Sequence, residues 1–87
     1  MENSDIANVG KRISLLRKSL GVQHQVEMAK MLDIDQKRYH VWEVGKGLIP
    51  ISYAIKLRLL TGATLDYIYL GEMDGLSSNL IKKISSM

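Results

Sequence analysis

Between Gln25 and Gly45 the chain sets two short helical patterns back to back, and this stretch constrains the fold more than any other. The first runs from about Gln25 to Leu32, with Met28, Ala29 and Leu32 spaced along one inner face. The second runs from about Gln36 to Val44. Asp35 stands before it as a capping residue, and Gly45 closes it. Leu32-Asp33-Ile34-Asp35 leaves only a tight break between the two. Two helices of this length joined this closely form a helix-turn-helix unit.

The rest of the chain supports an all-α reading with five helices and room for a short sixth at the C-terminus. Val9, Ile13, Leu16 and Leu20 mark a first helix over about residues 5–20, with Asn3 or Ser4 as its cap, Gly21 at its end, and Lys11, Arg12, Arg17 and Lys18 on much of the remaining surface. Gly45 to Pro50 is a loop, because its two glycines and proline do not continue a helix. A fourth helix covers about Ser52 to Thr61, with Ala54, Ile55, Leu57, Leu59 and Leu60 as its apolar set and Gly62 as its stop. Thr64 caps a fifth, which holds Leu65, Ile68, Tyr69 and Leu70. Leu76, Leu80, Ile81 and Ile84 then form one more helical stripe, with Ser77 as its cap. No segment alternates as a strand would. Residues 5–72 read as one domain and 73–87 as an extension.

At 87 residues the chain holds one small core, a size at which association adds stability. It has no cysteine, so neither a disulfide framework nor a thiolate metal site is available. The acidic, polar start Met-Glu-Asn-Ser-Asp is unlike a signal peptide, and no apolar run approaches the roughly 20 residues that cross a bilayer. A cytoplasmic protein is expected. Net charge is +3, unevenly spread: residues 8–46 carry eight Lys/Arg against four Asp/Glu, and residues 47–87 carry four against three. The positive excess thus accompanies the two-helix unit, as phosphate binding requires, although lysines and arginines that merely solvate helix faces would look the same.

In order along the chain, Leu16-Arg17, Gln25 with Ala29, Ile34, Trp42-Glu43-Val44-Gly45, Pro50 and Gly62-Ala63-Thr64-Leu65-Asp66-Tyr67 make a set that resembles the λ-repressor-like helix-turn-helix family, which includes phage repressors and Cro. The resemblance covers about residues 8–72, and it is the ordered set that is specific. It departs from the family at three places. The link Gly21-Val22-Gln23-His24 is one residue longer, Tyr39-His40 replaces the frequent Ile-Ser, and Asp33 replaces the usual turn glycine. Asp tolerates the left-handed conformation such a turn needs.

The resemblance implies that Gln25 contacts a DNA phosphate and that Arg17 and Glu43 form a structural ion pair. Gln36, Lys37 and Arg38 open the second helix of the unit and can donate to bases or phosphates, while Val41 can meet a thymine methyl. His40 lies four residues after Gln36, near the same face, where it can contact backbone or base, and Lys46 in the following loop suits a phosphate. Tyr39 and Trp42 read as core. Two histidines without cysteines or ligand-spaced acids give no metal site, and no cofactor is expected.

The C-terminal third is apolar enough that dimerisation through Leu65, Ile68, Leu76, Leu80 and Ile84 is expected, the alternative being that the last segment folds back on its own core. The expected function is a sequence-specific transcription regulator, a phage-type repressor that binds double-stranded DNA as a homodimer on an inverted repeat. With so little chain after the domain, regulation would come from concentration, competition or a partner. The competing expectation is an antitoxin or adaptor that binds a protein partner through the apolar C-terminal third. No enzyme constellation is evident: there is no Ser/His/Asp set, carboxylate pair or glycine-rich phosphate loop.

Overall fold

The computed structural model describes residues 5–86, which form six helices and no strand. They are α1 (Ile6–Ser19), α2 (Gln25–Met31), α3 (Gln36–Glu43), α4 (Ile51–Thr61), α5 (Leu65–Leu70) and α6 (Ser78–Ser85). The all-α expectation holds, and the sixth helix is present. None of the described helices is long and apolar enough to cross a membrane. Asn3 and Ser4, expected to cap α1, lie outside the described residues. The cap in place is Asp5, whose carboxylate accepts from the Ala7 N–H at 3.4 Å. Thr64 and Ser77 cap α5 and α6 through their hydroxyls, as their positions suggested.

Three of these helices end by one device. After α1, α2 and α3 the second and third residues beyond the helix turn back and donate to the carbonyls of the last helical turn. The pairs are Gly21 and Val22 onto Lys18 and Arg17, Asp33 and Ile34 onto Lys30 and Ala29, and Gly45 and Lys46 onto Trp42 and Val41. This six-residue closure needs a left-handed residue at its apex. Gly21, Gly45 and, at φ 58°, Asp33 take that conformation, and Asp33 is the one residue other than glycine with positive φ among those described. The turn between α2 and α3 therefore forms without glycine.

α1 is the central helix and packs on α3, α5 and α6; α2 packs on α3, and α4 on α5. Val9, Ile13 and Leu16 of α1 are buried against a core that includes Met28, Leu32, Tyr39, Leu57 and Ile68. The crossing of α1 over the end of α3 is close. A β-carbon at Gly10 would lie 2.5 Å from the Trp42 carbonyl oxygen and 2.6 Å from that of Glu43. Only a glycine admits this approach. Tyr39, Trp42 and Tyr53 form an aromatic run from α3 to α4, with ring centroids 6.0 and 5.3 Å apart. Tyr69 Oη donates to the Ile49 carbonyl at 2.7 Å and ties α5 to the loop before α4.

Three expectations are corrected. Arg12 is not a surface cation: it is buried, and its Nε donates to the Ile68 carbonyl at 3.0 Å, which joins α1 to α5. Burial holds its guanidinium below the ordinary arginine range. In α4 only Ala54 and Leu57 enter the core, while Ile55, Leu59 and Leu60 are exposed. The proposed dimer set is largely consumed within one chain. Ile68, Leu76, Leu80 and Ile84 are buried in its own core, and Leu65 is partly buried against it. The physical reason is that α6 lies along α1 and its stripe completes the core there.

Two substitutions check this packing. Gly10→Ala should lower stability by about 1–3 kcal/mol through overpacking at the α1–α3 crossing. Leu80→Ala should cost about 2–5 kcal/mol, the range for a large-to-small core change. Thermal melts at two widely separated protein concentrations should give the same loss for Leu80→Ala, because its contacts lie within one chain.

Candidate nucleic-acid interface

The geometry of α3 follows from its anchor residues. Tyr39 and Trp42 are buried, so at 100° per residue the opposite side carries Lys37, flanked by Gln36, His40 and Val41, all four exposed. Asp35 holds the start of the helix, its Oδ1 accepting from the N–H groups of Lys37 at 2.8 Å and Arg38 at 3.3 Å. Arg38 falls on a different flank. Its guanidinium carbon lies 5.8 Å from the Tyr53 ring centroid, where cation–π attraction draws it toward α4. The first-turn trio therefore divides: Gln36 and Lys37 line a shallow cleft with His40, and Arg38 leans on α4. Lys46 is exposed in the loop after α3, and its backbone N–H closes the helix on Val41.

Beneath this face lies a polar node centred on Glu43. Arg17 Nε donates to Glu43 Oε2 at 2.7 Å and Nη2 to Oε1 at 3.2 Å, with 8% and 4% of the two side chains exposed. Arg17 Nη1 also donates to the carbonyls of Val22 and Gln23, at 3.0 and 2.7 Å. The link between α1 and α2 is thus clasped by the residue that holds α3. Tyr39 Oη donates to Glu43 Oε2 as well. Burial works against the Glu43 charge, but hydrogen bonds from Arg17, Tyr39 and Gln25 outweigh it and hold the carboxyl below its ordinary value. Burial, then the neighbouring carboxylate, pushes the Tyr39 phenol up, and the hydrogen bond that Arg17 donates to Glu43 raises Arg17.

Gln25, at the start of α2, belongs to the same network. Its Nε2 donates to Glu43 Oε1 at 3.0 Å, and its Oε1 meets His40 Nδ1 at 2.7 Å. A carboxylate only accepts, so the amide nitrogen must face Glu43 and the amide oxygen must face His40. His40 Nδ1 therefore carries a proton and donates, which leaves Nε2 on the other side of the ring. Gln25 and His40 are 15 residues apart on different helices, and no sequence periodicity connects them. Gln25 also borders an open groove whose wall includes Lys11, Ser14 and Lys18 of α1. Lys11 and Lys18 stand out in the sequence as helix-one cations; Ser14 carries no signal that would mark it.

Among the described residues no group of three or more His, Asp or Glu side chains is arranged to hold a metal. What the structure brings together is Gln25, Gln36, Lys37, His40 and Val41, with Lys46 beyond the end of the helix. It sets Arg38 apart, and it makes Arg17 and Glu43 the support beneath the face.

The node has a pH signature. With its folded value below the ordinary carboxylate value near 4.5, Glu43 contributes stability that is fully present above about pH 4.5. That contribution is lost as pH falls through the depressed folded value. Glu43→Gln should accordingly flatten the acid limb of a stability-against-pH curve measured by denaturant titration. Arg17→Ala, which strands the carboxylate, should cost about 3–5 kcal/mol near neutral pH. Comparison with known proteins finds no matching family model, no matching curated protein and no matching solved structure, so the functional reading rests on this geometry and on the sequence resemblance.

Proposed function

We propose that this chain is a sequence-specific DNA-binding regulator of the λ-repressor-like helix-turn-helix kind, with α2 and α3 as the unit and α3 as the helix that enters the major groove. The observation that carries the reading is the outward side of α3. Gln36, Lys37, His40 and Val41 stand exposed on a helix whose other side is pinned by Tyr39 and Trp42, so hydrogen-bond donors and an apolar contact are presented on a rigid support.

The roles divide by chemistry. Lys37 points straight out of the helix and reads bases. Gln36 and Val41 flank it, one able to bond adenine and the other to meet a thymine methyl. Gln25 uses one N–H of its amide on Glu43 and offers the second to a phosphate, and Lys46 takes a phosphate beyond the far end of α3. Arg38 contacts the backbone from the α4 side. The groove wall of Lys11 and Lys18 adds a basic rim beside Gln25. A repressor acting as a dimer on an inverted repeat would place two α3 helices about 34 Å apart, one turn of DNA.

Selection of bound fragments from random DNA by the full chain, at low and near-physiological salt, tests the reading. A single palindromic motif at both salts is expected. Motif-free binding that vanishes as salt rises would reduce the interaction to phosphate attraction and defeat the proposal. On the selected site, Lys37→Ala should lose about 1–3 kcal/mol and relax the base preference at one position. Lys46→Ala should weaken all sequences alike and lower the salt slope by about 1.

A further inference from the structure

His40 is exposed on the outward side of α3 and lines a shallow cleft with Gln36 and Lys37. Its ring is held from behind. Glu43 Oε1 accepts from Gln25 Nε2 at 3.0 Å, and Gln25 Oε1 stands 2.7 Å from His40 Nδ1. The polarity of this chain of bonds is set at its inner end. Arg17 and Gln25 both donate to an ionised carboxylate, which turns the Gln25 amide oxygen toward the ring and keeps a proton on Nδ1. A neutral imidazole has a single N–H. Nε2 of the neutral ring therefore presents a lone pair.

We propose that His40 sets base preference at one position: its Nε2 accepts from the exocyclic amino group of adenine or cytosine when the ring is neutral, and donates to guanine or thymine when the ring is protonated. The inference rests on the regulator reading, in which α3 enters the major groove. The donors on base edges there are adenine N6 and cytosine N4, and guanine O6 and N7 and thymine O4 are acceptors. A lone pair at Nε2 cannot bond a phosphate oxygen, which only accepts. Beside it Lys37 only donates and Val41 does neither, so His40 adds an acceptor to a face of donors.

Protonation reverses the sense of this contact without dismantling its support. The second proton goes to Nε2, because Nδ1 already holds one. The bond from Nδ1 to Gln25 stays, and the ring keeps its place while an acceptor becomes a donor. At one position of one strand, preference passes from the amino bases, adenine and cytosine, to the keto bases, guanine and thymine. Histidine is the side chain whose charge ordinarily changes between pH 5 and 8. The charged groups on the elements around it are few. Lys37 lines the same cleft, and Glu43 lies beyond Gln25, paired with Arg17. Lys11 and Lys18 of α1 line the groove that Gln25 borders. On α2, Glu27 accepts from the backbone N–H of His24 at 3.3 Å, and Lys30 stands in the last turn.

The ring is tested first without DNA. Two-bond proton–nitrogen correlation spectra of the full chain at about pH 8 should show His40 with a proton on Nδ1 and none on Nε2. Gln25→Ala should give a mixture of the two tautomers, a change that a purely structural role for Gln25 would not produce. Fragment selection at about pH 8 and about pH 5.5 then reads the contact. One position of the motif should pass from adenine or cytosine to guanine or thymine, the ratio of the two classes moving at least about fivefold, the low end for one mismatched base pair. His40→Ala should keep the parent melting temperature, since the side chain is exposed, and select the same motif at both pH values. His24→Asn, which removes the other histidine, should respond to pH as the parent does. A proton on Nε2 of the neutral His40 ring overturns the proposal, as does a Gln25→Ala ring that stays wholly in the parent tautomer. So does a parent motif unchanged by pH, a His40→Ala chain that keeps the reversal, or a His24→Asn chain that loses it. Each of these leaves the regulator reading standing. The absence of any selected motif at either pH defeats that reading, and this contact with it.

Discussion

Everything around the polar face of the molecule depends on Glu43. One carboxylate, nearly withdrawn from water, accepts from Arg17 on α1, Gln25 on α2 and Tyr39 one turn earlier on α3. A carboxylate in that position is costly to bury alone and inexpensive only when every lone pair is met. The requirement therefore works as a geometric constraint. α1, α2 and α3 must converge on one point, and Arg17 extends the constraint to the link between α1 and α2 through Val22 and Gln23. No buried side-chain nitrogen or oxygen among the described residues is left without a partner. Because Gln25 is oriented by Glu43 and His40 by Gln25, the same charge governs the groups at the surface.

Backbone closure does the complementary work of setting direction. The six-residue turns after α1, α2 and α3 stop each helix and redirect the chain, each satisfying carbonyls that would otherwise be orphaned. Asp33 shows that the α2–α3 turn tolerates a side chain at the left-handed position; Gly10, by contrast, is held by contact with a neighbouring backbone.

The two exposed helix faces differ in chemistry. The face of α3 is polar and cationic above an aromatic anchor. The outward side of α4 presents Ile55 and Leu59. Tyr53 sits between them: its ring packs on Trp42 and receives both Arg38 and Lys56. Those two cations are thereby drawn toward the boundary between the faces.

The sequence by itself determined the local elements. The inner stripe of α2, the cap at Asp35, the stops at Gly21 and Gly45 and the caps at Thr64 and Ser77 are short-range matters of periodicity and backbone conformation, and all are written in neighbouring residues. It also singled out Arg17 and Glu43, though only through resemblance to a family. Tertiary structure decided what depends on which surfaces meet. An amphipathic stripe states that a helix will be covered, not by what, so the stripe of α6 read as a dimer face until its place along α1 was seen. Arg12 carries no local sign of burial, because its partner is a backbone carbonyl 56 residues away. The bond between Gln25 and His40, the lean of Arg38 onto Tyr53 and the exposed aliphatic side of α4 are likewise set by contacts, or their absence, between elements distant in the chain. Hydrophobic and electrostatic interactions act through space, and periodicity reports only the side of a helix on which they begin.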